Sequence, residues 1–99
     1  MEIEAFMIVE IVEEIEDVIV RGRAYIDIGV GDVLYVKNRY EEKIPCIIEK
    51  MSSYGRETKV LNSMMTGDVT LKFLQNVSLK NICTNYKRNE LKYVYKCGN

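Results

Sequence analysis

From Val18 to Val36 the chain reads VIVRGRAYIDIGVGDVLYV, and the alternation within that stretch leaves little choice of fold. Val18, Val20, Gly22, Ala24 and Ile26 share one parity, while Ile19, Arg21, Arg23, Tyr25 and Asp27 share the other. A side-chain period of two marks a strand, because successive residues point to opposite faces of a sheet. Gly29-Val30-Gly31-Asp32 interrupts the run with a turn, since glycine reaches positive φ and Asp accepts from the turn's own amides. Val33–Lys37 resumes it.

Upstream, Glu4 to Glu13 places Ala5, Met7, Val9 and Ile11 on one parity and Phe6, Ile8 and Val12 on the other, as in a strand covered on both sides. Ile8, Ile11, Val12, Ile15 and Val18/Ile19 also follow helical spacing, so a helix over 8–19 is the rival assignment. The β-branched content and the clean alternation after Val18 favour strand–turn–strand. Downstream, Ile44–Met51, Val69–Leu74 and Glu90–Lys96 read as strands, with Pro45 expected at a strand start or edge because it has no N–H to donate. Ser52-Ser53-Tyr54-Gly55 and Thr66-Gly67-Asp68 read as turns, Thr58–Asn62 as a short strand or connection, and Asn76–Ile82 as irregular or one helical turn. Residues 97–99 are expected to fray. Six or seven short strands without a long helix predict an all-β fold, a small closed antiparallel barrel. Ninety-nine residues, 47% of them apolar, suffice for one domain with one core.

The alternation breaks where charge gathers. Glu13, Glu14, Glu16 and Asp17 surround Ile15 at the first turn. They read as a solvated loop or as a surface for a basic partner; a magnesium or calcium site needs a ligand geometry this run does not spell out, so no metal is assigned. Residues 1–32 hold nine acids against two bases, whereas residues 67–99 hold two acids against six bases, a dipole able to steer a partner. The acidic N-terminus is unlike a basic signal-peptide start, and no apolar run approaches the ~20 residues of a membrane-spanning helix. Cys46, Cys83 and Cys97 form no CxxC pair and the chain has no histidine, which argues for free thiols in a reducing, cytoplasmic setting and against a zinc site.

The order of these motifs carries a resemblance. Val20-Arg21-Gly22-Arg23-Ala24 leads into Gly29-Val30-Gly31-Asp32-Val33-Leu34. Ile47-Ile48-Glu49-Lys50-Met51, Thr66-Gly67-Asp68-Val69-Thr70-Leu71 and Asn76-Val77-Ser78-Leu79-Lys80-Asn81-Ile82 follow. Over residues 6–82 the chain resembles the second, β-barrel domain of translational GTPases such as elongation factor Tu. The resemblance implies a barrel of that type, with Gly29, Gly31, Asp32, Gly67 and Asp68 as structural turns. It also implies contacts with RNA or the ribosome. No GxxxxGK[ST] loop is present, so GTP hydrolysis is not implied.

Function divides three ways. Without histidine, a Gly-x-Ser-x-Gly elbow or a Cys–His pair, the chain reads as a non-enzyme without a cofactor. A nucleic-acid role would rest on Arg21, Arg23, Lys87, Arg88, Tyr93 and Lys96, where cations meet phosphates and tyrosines stack on bases. The pI near 5.5 is low for such a domain. A protein-binding module of the inhibitor, immunity or accessory type is the favoured reading. Its candidate contacts are Glu13, Glu14, Glu16, Asp17, Arg21, Arg23, Tyr25 and Tyr54, since Tyr and Arg are enriched at interfaces.

Overall fold

The computed structural model describes residues 2–13, 18–37, 42–74 and 93–97. Those residues form strands β1 (Glu2–Glu13), β2 (Val18–Ala24), β3 (Ile28–Gly29), β4 (Val33–Lys37) and β5 (Lys43–Ser53). β6 (Arg56–Thr58), β7 (Val60–Leu61), β8 (Thr66–Phe73) and β9 (Tyr93–Cys97) complete them, and no helix occurs among the described residues. The helical alternative over 8–19 is therefore wrong up to Glu13 and from Val18 onward, and Glu14 to Asp17 lie outside the described residues.

All pairings are antiparallel. Six strands run in the order β4-β9-β1-β2-β8-β5, and β5 pairs again with β4, so the sheet returns on itself as a barrel-like ring. β6 extends from β5 as a hairpin, and the β3–β7 ribbon pairs Ile28 with Leu61. The interior holds Phe6, Ile28, Leu34, Ile48, Met51, Leu61 and Leu71 as its largest fully buried side chains. Each contributes about 1.5–3 kcal/mol by leaving water. In β2, Val18, Val20, Gly22 and Ala24 are buried and Arg21 and Arg23 exposed, as the alternation predicts.

β1 departs from simple alternation for a physical reason. Its partners on β2 run Ile8 to Gly22, Glu10 to Arg21, Ile11 to Val20 and Glu13 to Ile19, leaving Val9 and Val12 as extra residues. A bulge inserts one residue and resets the parity of all that follow. Ile8 and Ile11, three apart, thus both pack on the core, while Val9 is 70% exposed. The apparent helical spacing was the imprint of a bulge.

Two expectations about turns need correction. Gly67 and Asp68 lie inside β8, opposite Gly22 and Arg21 of β2, and form no turn. Gly67 is there because strands crowd: a Cβ would overlap the Ser52 carbonyl, and one on Gly22 would overlap the Met7 carbonyl. Ser52 and Ser53 likewise belong to β5, and only Tyr54 and Gly55 turn, both at positive φ (53° and 76°) as a two-residue type I′ hairpin requires. Gly29 to Asp32 is the turn expected. Asp32 N–H donates to Gly29 carbonyl at 3.0 Å, Gly29 N–H donates to Asp32 Oδ2 at 2.8 Å, and Gly31 takes φ 95°. Pro45 sits near the start of β5, where its carbonyl accepts from Leu74 N–H just past the end of β8. Cys97, expected to fray, pairs with Glu2 as the last residue of β9. The expected segment 76–82 lies outside the described residues.

Candidate functional site

The outward side of a small barrel is ordinarily its polar side, yet on β4 and β9 it carries tyrosines. Leu34 and Val36 point inward and are buried; Tyr35 between them has the opposite parity, yet it is only 7% exposed, covered on that side by its neighbours. Val94 is buried in the same way between Tyr93 and Tyr95. Register sets Tyr35 opposite Tyr95, and the two rings stack with centroids 5.6 Å apart and planes 23° from parallel. Tyr95 neighbours Tyr93 at 6.1 Å, and Tyr93 neighbours Tyr25 at 6.2 Å, both tilted. Tyr25 lies just past β2 and donates its hydroxyl to Met7 Sδ at 3.1 Å, and Met7 sits opposite Tyr93 and Arg23. Beyond the buried Tyr35 lie the half-buried Pro45, paired with it, and the half-buried Ile47 opposite the exposed Val33. The outcome is a continuous aromatic and apolar belt across β5, β4, β9 and β1.

Cations edge the belt. Lys43 Nζ lies 5.0 Å over the Tyr35 ring and Lys37 Nζ 5.0 Å over the Tyr95 ring, the geometry of cation–π attraction. Lys37 also donates to Glu2 at 2.8 Å, and this bond holds the Glu2 carboxyl below the usual carboxylate range. Tyr35 donates its hydroxyl to Glu2 at 3.0 Å. Burial, with Glu2's negative charge and hydrogen bond second, pushes the Tyr35 phenol up to about 12. The Glu4 charge raises the Tyr93 phenol as well. Both phenols are therefore neutral donors at physiological pH.

The other proposed contacts divide. Arg21 is already engaged: Nε and Nη2 donate to the two carboxylate oxygens of Asp68 at 2.8 and 3.2 Å, and Nη1 reaches Glu10 at 3.3 Å. That ladder ties β1, β2 and β8 together across their exposed face. Arg23 is exposed and has no ion pair among the described residues, and Lys96 is exposed on β9. Arg23, Tyr25 and Tyr93 thus meet around Met7, a grouping the sequence divided between two surfaces. Tyr54 stands 87% exposed at its hairpin tip. Glu13 ends β1, while Glu14, Glu16, Asp17, Lys87 and Arg88 lie outside the described residues. Sequence reasoning missed Tyr35, Lys37 and Lys43. The available signal was a tyrosine between two core aliphatics, whose strand parity sends it outward.

Elsewhere, a shallow pocket of about 340 Å³ lies between Val30, Met51 and Thr58, with Glu49, Lys50, Glu57 and Lys59 alternating in charge around it. Cys46 is fully buried and its thiol is pushed up to about 12 by that burial, which makes it inert, whereas Cys97 is free and exposed. Comparison of the chain with protein-family models, characterised proteins and solved structures finds no match.

Proposed function

We propose that the chain is a non-catalytic protein-binding module of the inhibitor, immunity or accessory type, acting in the cytoplasm through its tyrosine belt. One observation carries this reading: the half-buried row Tyr25, Tyr93 and Tyr95 on the outer face, backed by the buried Tyr35 and flanked by Met7 and Arg23. Tyr, Met and Arg are enriched where proteins meet, because a rigid aromatic buries much area at low entropic cost. The free thiols of Cys46 and Cys97 fit a reducing compartment.

A second reading draws on the lysines. Cations beside tyrosines also suit a single nucleic-acid strand, and the barrel-like ring suits a domain of the translation-factor type acting on RNA or the ribosome. Glu2 and Glu4 beside the same rings oppose a phosphate backbone, so the protein reading stands first.

The test is affinity capture by the tagged chain from extract of its own cells, with and without nuclease, at low and raised salt. Wild type is compared with Tyr93→Gln/Tyr95→Gln after circular dichroism has verified the fold. A protein retained after nuclease and lost with the double variant is expected. Recovery that depends on RNA would transfer the belt to the second reading. Equal capture by the double variant would overturn both.

A further inference from the structure

We infer that the outer face around Met7 binds a second copy of this chain as a weak two-fold dimer, an inference that rests on the protein-binding reading and makes the chain itself one partner.

The placement of four side chains carries it. Arg23 lies opposite Met7 in the β1–β2 pairing, and Tyr25, two residues further along, donates its amide to the Ala5 carbonyl at 2.8 Å. Glu4 precedes Ala5 on β1 and lies opposite Tyr95 of β9. The four thus mark out a quadrilateral, with Arg23 and Glu4 at opposite corners and Met7 and Tyr25 at the other two. The hydroxyl-to-sulfur bond of 3.1 Å spans the Met7–Tyr25 diagonal. Met7 and Tyr25 are half-buried, whereas Arg23 and Glu4 are exposed and make no ion pair among the described residues. A largely apolar centre with charges at its margin is the anatomy of a protein interface.

Charge then selects the occupant. A partner surface of one sign would gain at Arg23 and lose at Glu4, or the reverse, and a phosphate backbone would be repelled by Glu4. A two-fold related surface meets itself, so residue i contacts j and j contacts i. With the axis along the Met7–Tyr25 diagonal, in the plane between two facing copies, Arg23 of each copy lies over Glu4 of the other. Met7 and Tyr25 meet their own counterparts on that axis. Tyr93 lies opposite Met7, and Glu4 is near enough to it to raise its phenol, so the incoming guanidinium finds a carboxylate and an aromatic ring together. The net charge of −1 adds little repulsion between copies. A contact centred on so few residues is smaller than the ~20–30 residues a side of a stable interface, so a dissociation constant of about 10–1,000 µM is expected.

The experiment is sedimentation equilibrium of the whole chain over roughly 10 µM to 1 mM, the range of that expected constant. Wild type should pass from monomer to dimer mass, and the dimer should weaken as salt rises. Arg23→Glu and Glu4→Arg, each verified as folded by circular dichroism, should each weaken association at least 10-fold, because like charges then face each other. Mixed in equal amounts, the two variants should associate again as a heterodimer, since each supplies the charge the other lacks. On wild type alone, dilution should shift the methyl resonance of Met7 and the ring resonances of Tyr25 and Tyr93. A wild type that stays monomeric throughout overturns the inference, as do single variants that dimerise like wild type, a mixture that stays monomeric, or dilution shifts confined to other residues. If the chain is monomeric while capture from extract still depends on Tyr93 and Tyr95, the dimer is wrong and the binding function stands. If capture itself ignores those tyrosines, the function falls.

Discussion

Replacing Gly22 with alanine is expected to be the most damaging single-methyl change among the described glycines. Gly22 faces Ile8 on one side and Gly67 on the other, and a Cβ there would overlap the Met7 carbonyl and press on the Phe6 ring. The obstacle is backbone, so no rotamer change relieves it; β1 must retreat from β2. Retreat loosens about two ladder hydrogen bonds, at ~1 kcal/mol each, and disturbs the packing of Phe6, at ~1–3 kcal/mol. Restricting the unfolded chain returns only about 0.4–1 kcal/mol. The net loss is about 3 kcal/mol, a large part of the ~5–15 kcal/mol typical of a domain. Gly67→Ala should cost less, about 2 kcal/mol, because part of its obstruction is the movable Leu61 side chain. Gly31→Ala, with open space around it but φ 95°, should cost about 1 kcal/mol from left-handed strain alone. Urea unfolding of the three variants measures the order directly. A Gly22→Ala loss below 1 kcal/mol, or Gly31→Ala as the worst of the three, would refute the claim that strand crowding demands glycine at positions 22 and 67.

Tyr54→Asn should raise stability by roughly 0.5–1 kcal/mol in thermal melts, because Asn-Gly is the favoured pair for a type I′ turn; no gain would mean the φ of 53° costs nothing. Arg21→Ala should lower stability by less than about 1 kcal/mol, since its ion pairs are exposed, and leave capture unchanged, whereas Arg23→Ala should weaken capture; the reverse order would contradict the assignment of Arg21 to the ladder. Alkaline stability should fall from about pH 9 upward at up to ~1.4 kcal/mol per unit, because Cys46 keeps its proton in the folded chain to about 12 and loses it earlier when unfolded. Tyr35 adds to the fall above about pH 10, and Cys46→Ala should remove the part that begins near pH 9 in urea titrations.

How far the chain could be read depends on where each determinant lies. The strand from Val18 to Ala24 was legible because its burial follows its own alternation. The bulges at Val9 and Val12 were not, since an extra residue exists only relative to a partner strand. Gly67 looked like a turn residue because glycine followed by Asp suits turns, but tight packing against β5 demands glycine equally well. Arg21 looked available because its acids come from residues 11 and 47 positions away. For the belt, Tyr25 and Tyr93 were legible as surface aromatics. Tyr35 was hidden in the apolar run Val33-Leu34-Tyr35-Val36, and only the register between β4 and β9 stacks it on Tyr95.

The most direct test of the belt is photo-crosslinking in the chain's own cells, with benzoylphenylalanine placed at Tyr93 and, as a control elsewhere on the barrel, at the exposed Lys50 of β5. A discrete protein adduct from position 93, resistant to nuclease and absent from position 50, is the expected result. Protein adducts from position 50 alone, or only RNA adducts from position 93, would contradict a tyrosine belt built to hold another protein.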